Sequence, residues 1–163
     1  MSCRIVVMSD THLSGVTDEF IAICDRHCID AHMVIHLGDW ARAVILDYLE
    51  FFPLEAVAGN TDDAIIHSRL PVKKVVSIGG RRLGIIHGWG LPGNLPGLLG
   101  HEFTGVDVIL FGHTHQPLEV FERGVLLFNP GSVFMGRGRH TRTLGILHID
   151  EDEGTIESEI IRL

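Results

Sequence analysis

Five apolar runs in this chain end on side chains able to bind cations or move protons. That recurrence restricts the fold more than any other feature of the sequence. Arg4–Ser9 leads into Ser9-Asp10-Thr11-His12, His32–Leu37 into Gly38-Asp39, and Leu54–Ala58 into Gly59-Asn60-Thr61-Asp62. Leu83–Ile86 leads into His87-Gly88, and Val106–Phe111 into Gly112-His113-Thr114-His115. Taken singly, an Asp after a strand is a turn former, a buried His a satisfied core residue, and an Asn after Gly a turn. Those readings do not explain why every such residue ends an apolar run. Ligands of open α/β sheets gather beyond the carboxyl ends of the strands. If the five runs are neighbouring strands, Asp10, His12, Asp39, Asn60, His87, His113 and His115 converge on one pocket. Asp10 and His12 are one residue apart, as are His113 and His115, so in extended chain each pair points to one face. Gly38, Gly59, Gly88 and Gly112 stand beside these positions and permit tight turns.

Between the first runs the pattern turns helical. Thr17–Cys28 reads as an amphipathic helix with Phe20, Ile21, Cys24 and Cys28 on its apolar face, and Arg42–Phe51 as a second helix stopped before Pro53. Strand–helix–strand alternation predicts parallel pairing through crossover helices. The second half is different. Lys73–Ile78 and Arg82–Ile86 flank Gly79-Gly80, a hairpin signal, and Thr143–Ile149 and Ile156–Ile161 flank the turn Asp150–Gly154. With Gly124–Phe128 added, there are more strands than one sheet comfortably holds, which predicts two stacked sheets with helices outside. The length of 163 residues fits one domain over 1–163, without repeat or linker.

Composition narrows the partners. Apolar residues make up 45% of the chain, enough for a real core, but no run is long enough to cross a bilayer. The apolar stretch at the N-terminus is too short for a secretory signal. Three cysteines, an odd number without framework spacing, predict a reducing, cytoplasmic setting. Cys24 and Cys28, one helical turn apart, read as small buried apolar side chains. The net charge is −8, from 21 acidic and 13 basic residues. The one basic stretch, Arg137–Arg142, reads as a solvated loop. Neither a stable nucleic-acid complex nor a membrane is expected as partner. A small phosphate ester is compatible with the charge, because two bound cations would reverse the local field.

Eleven histidines are a surplus for this length, and histidine is the commonest metal ligand. His27, His32, His36, His67, His101, His140 and His148 lack strand-end placement and read as ordinary residues, with His36 near enough to Asp39 to support it. Trp40 and Trp89 follow two of the strand-end blocks. They read as rim packing, with a nucleobase platform as the alternative. The Gly- and Pro-rich loop Trp89–Gly97 is expected to overhang the pocket.

Carboxylate, imidazole and amide oxygen without thiolate suit Mn, Fe, Zn or Co, and Mg less well. Seven donors exceed one site that must also leave room for water. They suit two adjacent cations with a bridging carboxylate, and a pair about 3.5–4 Å apart is the usual clamp for in-line phosphoryl displacement.

The blocks Asp10-x-His12, Gly38-Asp39, Gly59-Asn60, His87 and Gly112-His113-x-His115, in that order, resemble the calcineurin-like metallophosphoesterase superfamily. Asn129-Pro130-Gly131-Ser132 is similar to the segment that follows in its small prokaryotic branch, which includes YfcE-like phosphodiesterases and is related to the retromer subunit Vps29. The resemblance implies an α/β, four-layer sandwich of two mixed sheets flanked by helices. It also implies that Asp10, His12 and His115 hold one metal, that Asn60, His87 and His113 hold the other, and that Asp39 bridges. Two divalent ions are expected, Mn²⁺ foremost, with Ni²⁺, Fe²⁺, Zn²⁺, Co²⁺ or Mg²⁺ as alternatives.

The implied activity is hydrolysis of a phosphate ester, a diester foremost, by a water deprotonated between the cations and attacking phosphorus in line. Asp39, Asn60, His87 and Asp62 are expected to carry the catalysis, Asp62 by orienting its neighbours. Thr61 stands where many superfamily phosphatases carry a proton-donating His. General-acid help is worth about 10²–10⁴-fold, so its loss points to diesters or to esters with stable leaving groups. The alternatives are a catalytically weak Vps29-like scaffold, a phosphomonoesterase or a protein phosphatase; the short chain leaves little room for peptide-docking insertions. A homodimer or a higher homo-oligomer is the expected assembly, two-fold pairing being the commonest closed form.

Overall fold

From Ile5 onward every residue of β1 (Ser2–Met8) is buried, as a strand covered on both faces requires. In the computed structural model, which describes residues 1–89, 97, 99–135 and 142–163, β1 lies at the centre of a five-stranded sheet. Parallel to it run β2 (Met33–His36) and then β3 (Leu54–Ala56), with Met8 opposite His36 and His36 opposite Ala56. On its other side β9 (Thr143–Asp150) and β10 (Thr155–Arg162) are antiparallel, giving the order β10-β9-β1-β2-β3.

The second sheet also has five strands, in the order β4-β5-β6-β8-β7. These are β4 (Lys73–Ile78), β5 (Arg81–Ile86), β6 (Val108–Phe111), β7 (Leu118–Glu122) and β8 (Val125–Asn129). β5, β6 and β8 are parallel, while β4 and β7 are antiparallel edges. Both sheets are therefore mixed, as expected.

Alternation along β1 decides the layering. Ile5 and Val7 face Leu83, Ile85, Val108 and Leu110 of the other sheet. Val6 and Met8 face the helices α1 (Asp18–His27) and α2 (Ala43–Leu49). Thr17 caps α1 by accepting from the Phe20 N–H at 3.1 Å. Asp18 and Glu19 at its start and Arg26 and His27 at its end suit the helix dipole. The buried face is Phe20, Ile23, Cys24 and Cys28; Ile23 takes the place predicted for Ile21, because i, i+3, i+4 spacing continues the stripe that Phe20 begins. On the outer face of the second sheet Leu99 and Phe103 cover Ile86, Ile109, Phe111 and Leu127. No described helix is long and apolar enough to cross a membrane.

Two elements were not expected from the sequence. α3 (Ala64–Arg69) has only six residues and depends on Asp63, which accepts from the Ile66 N–H and also from the Ala43 N–H that opens α2, both at 3.0 Å. β7 exposes four of its five residues, so no hydrophobic alternation marks it. It is held by pairing with β8 through the Arg123-Gly124 turn, where both residues have positive φ.

The sheets meet closely at Gly145 of β9, where an added Cβ would fall 2.3 Å from Cε1 of the buried Phe128. Gly145→Ala should cost about 1–3 kcal/mol through overpacking and lower the urea midpoint. Gly100→Ala, with nothing among the described residues within 4 Å of the added carbon, should leave the midpoint in place. Equal midpoints for the two variants would contradict this packing.

Candidate metal centre

The carboxyl ends of β1, β2, β3, β5 and β6 open on one edge of the sandwich, and all seven strand-end side chains meet there. Asp10, His12, Asp39 and His115 offer ligand atoms within 4.8 Å of one another, and so do Asp39, His87 and His113. Asp39 belongs to both groups. Its Oδ2 lies 3.5 Å from His12 Nε2 and 3.3 Å from His87 Nε2. Asp10 Oδ1 lies 3.1 Å from His115 Nε2 and 3.7 Å from His12 Nε2. Asn60 Oδ1 joins the second group 3.1 Å from His87 Nε2. Each group could hold a metal ion.

The route to convergence differs from the expected extended-chain alternation. Asp10, His12, Asp39, His113 and His115 have φ of 54°, 47°, 58°, 70° and 58°. This is left-handed backbone that non-glycine residues rarely adopt and that costs of order 1–3 kcal/mol each. Both members of each D-x-H and H-x-H pair are turned this way, so the pairs converge through curled backbone rather than through a strand's pleat. Glycine is needed where another segment presses against these turns. A Cβ at Gly59 would lie 2.2 Å from Asp39 Oδ1, and one at Gly112 would lie 2.0 Å from Ser9 Oγ.

Surrounding hydrogen bonds hold the ligand atoms in place. His87 Nδ1–H donates to the Leu37 carbonyl and His115 Nδ1–H to the Met135 carbonyl, each at 2.7 Å, which leaves Nε2 of both rings facing the cluster. Asp10 Oδ2 accepts from Ser9 Oγ–H at 2.5 Å and from the His113 N–H at 3.1 Å. Asp39 Oδ1 accepts from the Thr61 N–H at 3.0 Å. Asp62 spends its carboxylate on backbone: Oδ2 accepts from the Gly59 and Asp39 N–H groups at 2.6 and 3.2 Å, and Oδ1 from Ala41 N–H at 2.9 Å. It clamps the Gly59–Asp62 turn to the Asp39 turn.

Three supports went unnoticed in the sequence: Ser9, Asn129 and Ser132. Asn129 Nδ2–H donates to the Gly112 carbonyl and to Thr114 Oγ1, both at 3.1 Å. Ser132 Oγ–H donates to the Asp10 carbonyl at 2.7 Å and accepts from the Met135 N–H at 2.8 Å. For Asn129 and Ser132 the one sequence signal was the Asn129-Pro130-Gly131-Ser132 block.

The electrostatics favour a cation. Burial opposes ionisation of Asp10, yet His115 and His12, the charge of His87 and the Ser9 hydroxyl hold its carboxyl well below the usual range. Burial likewise opposes ionisation of Asp39, and His87 with the Thr61 N–H holds it low. Burial lowers His87, but Asp39 and Asp10 outweigh it and raise the imidazole; burial, followed by His87, lowers His113. Asp10 Oδ1 is buried and accepts no hydrogen bond among the described residues. His115 Nε2 faces that oxygen at 3.1 Å. A proton or a cation between the two atoms would satisfy both, and carboxylate oxygens, imidazole nitrogens and an amide oxygen gathered this closely fit a divalent ion.

Trp40 is fully buried, stacked on His36 at 3.5 Å, with its indole N–H donated to the Val57 carbonyl. It therefore cannot serve as a nucleobase platform. Trp89 stands 54% exposed. The rest of the predicted overhanging loop, apart from Gly97, lies outside the described residues. So does the basic stretch, apart from Arg142, which stacks over Phe134. His27, His32, His67, His101 and His148 stand outside both donor groups; His140 lies outside the described residues. Cys24 and Cys28 are buried free thiols, as predicted.

Residues 3–152 match the calcineurin-like phosphoesterase superfamily domain, and the chain belongs to that family. It is 33% identical over 157 residues to the probable metallophosphoesterase YsnB of Bacillus subtilis, covering 94% of this chain and 88% of that protein. It is 34% identical to the phosphodiesterase YfcE of Escherichia coli over 102 residues, 58% of this chain and 52% of YfcE. The structure of YfcE superposes with a TM-score of 0.68 over 97% of this chain and 98% of that one, at 23% identity. Vps29 of Entamoeba histolytica in complex with zinc shares the fold, with a TM-score of 0.71 at 20% identity over 97% of this chain and 98% of that one.

Asp62→Ala would strand three backbone N–H groups. Hydrogen bonds to a charged acceptor are worth about 1.5–3 kcal/mol each, and less where water can replace them. We expect a loss of about 3 kcal/mol in the urea unfolding of metal-free protein, partly restored in Asp62→Asn. An unchanged midpoint would contradict the clamp.

Proposed function

We propose that the chain hydrolyses phosphate esters, diesters foremost, with two divalent cations held by Asp10, His12, Asp39 and His115 on one side and by Asp39, Asn60, His87 and His113 on the other. The observation that carries this reading is the sharing of Asp39 between two donor groups whose remaining members are distinct. When bound, the cations would supply a water nucleophile at neutral pH and neutralise charge developing on the phosphoryl oxygens. Manganese is the leading candidate for a set of carboxylates, imidazoles and one amide oxygen.

The chain's own part is to orient and to stay charged. Asp10 and Asp39 remain ionised at neutral pH. His87 and His115 present Nε2 because their Nδ1 protons are committed to carbonyls. Asn60 adds a neutral oxygen. Near the site's mouth Thr61 stands where a proton donor is expected; its hydroxyl lies 3.5 Å from His12 Nδ1. An aliphatic hydroxyl is too weak an acid to protonate a departing alkoxide. Diesters with stable leaving groups are therefore favoured over alkyl monoesters. YfcE, described as a phosphodiesterase, supports the same reading. Three free cysteines, two of them buried, support a cytoplasmic setting.

The deciding experiment is turnover of an aryl phosphodiester and of its monoester by metal-stripped protein given Mn²⁺. We expect the diester to be hydrolysed faster. Asp39→Ala should lower kcat by at least about 10³-fold, on the scale of losing a group that stabilises the transition state. Failure of the wild type to turn over either ester with two Mn²⁺ bound would favour a scaffold like Vps29 instead. In a separate test, Thr61→His should raise hydrolysis of an alkyl ester by about 10²-fold or more, and an unchanged rate would contradict the role given to this position.

A further inference from the structure

We propose that His36 is a positioning residue for the metal centre, tying the Asp10–His12 turn to the Gly38–Asp39 turn through one accepted and one donated hydrogen bond. The inference rests on the cation-binding reading of those turns. His36 ends β2, is fully buried and belongs to neither donor group. Its Nδ1 lies 3.1 Å from the Gly38 N–H, which must donate to it. Nδ1 is therefore unprotonated and the ring proton sits on Nε2, 3.2 Å from Thr11 Oγ1. Thr11 separates Asp10 from His12, and Gly38 precedes Asp39. One ring thus grips both turns from beneath.

Above it the turns are stitched by backbone bonds of 3.0 Å, from Asp10 N–H to the Gly38 carbonyl and from His12 N–H to the Asp39 carbonyl. Trp40 stacks on the imidazole at 3.5 Å with an interplanar angle of 19° and is itself anchored on the Val57 carbonyl, so the ring has no room to swing. Burial keeps the imidazole neutral at physiological pH, its pKa pushed down to about 3. It therefore retains the donor-plus-acceptor form that the two tethers need.

The function of such a tie follows from the backbone it braces. Asp10, His12 and Asp39 all hold left-handed φ. Turns of that kind relax unless their surroundings over-determine them. Loss of the tie should let Asp39 drift from the Asp10–His12 pair and weaken cation binding, while the remainder of the fold stays intact.

The test is calorimetric titration of Mn²⁺ into metal-stripped, full-length variants, with circular dichroism confirming that each is folded. His36→Phe keeps the stack on Trp40 and loses both tethers; we expect Mn²⁺ affinity to fall about 10–100-fold, the usual effect of removing a group that orients metal ligands. Thr11→Val should lose part of that. The double variant should bind no more weakly than His36→Phe alone, because both changes cut the same tie. His36→Asn, which can place an oxygen where Nδ1 accepts from Gly38, should recover part of the affinity. A merely structural role would lower the melting temperature of the metal-free variants and leave Mn²⁺ affinity at the wild-type level, and that result would overturn the proposal. Should His36→Phe fail to fold, Thr11→Val decides alone: unchanged affinity overturns the tie. A wild-type protein that binds two Mn²⁺ while the variants bind equally well removes only His36 from the account. A wild-type protein that binds no Mn²⁺ overturns the metal centre and this inference together.

Discussion

Two carboxylates, Asp10 and Asp39, are buried side by side at the mouth of a sandwich, and most of the surrounding structure follows from keeping them ionised there. Removing a charge from water is expensive unless it is paired. The described pairing is incomplete. Ser9, His113 and Thr61 satisfy one oxygen of each carboxylate with hydrogen bonds. The other oxygens, Asp10 Oδ1 and Asp39 Oδ2, face histidine nitrogens between 3.1 and 3.9 Å away. A set of carboxylate oxygens and imidazole nitrogens turned inward at such distances is a poor core and a good cation cage.

The fold supplies the convergence through strand polarity. Parallel strands start and stop together, so the three of the first sheet and the two of the second that carry site residues release their chains at one edge. Packing the sheets face to face through Ile5, Val7, Ile35 and Leu37 against Leu83, Ile85, Val108 and Leu110 then brings those edges together. Contact between the turns is closest at Gly112, where no side chain fits beside Ser9 and Asp10. Backbone strain accumulates at the same place. Five donor residues hold positive φ, and the strain is sustained by the carboxylate of Asp62, the hydroxyl of Ser132 and the ring of His36, none of which faces the cluster as a donor.

Much of this was legible in the sequence because strand ends are marked by abrupt changes from apolar to chemically able side chains. The helix α1 was readable to within one residue at each end, from the apolar stripe of the predicted Thr17–Cys28 segment. The β4–β5 hairpin was readable from Gly79-Gly80. What escaped had weak local signals. A six-residue helix capped by one Asp has no periodicity to detect. A strand with four exposed residues shows no alternation. The left-handed turns were hidden because D-x-H and H-x-H read equally well as extended chain; the contacts that brace the curled form, such as Gly112 against Ser9 and Asp10, exist only once the fold has closed. The role of Ser132 was hidden for a related reason: its partners Asp10 and Met135 are 122 and 3 residues away, and the longer of these links exists only once the fold has closed.

The central claim is that Asp39 stands between two cations. Crystals grown with Mn²⁺ and measured for anomalous scattering test it directly. The account predicts two peaks about 3.5–4 Å apart, one on either side of the Asp39 carboxylate, with Asp10, His12 and His115 around the first and Asn60, His87 and His113 around the second. A single peak, or a pair that Asp39 does not touch, would contradict it.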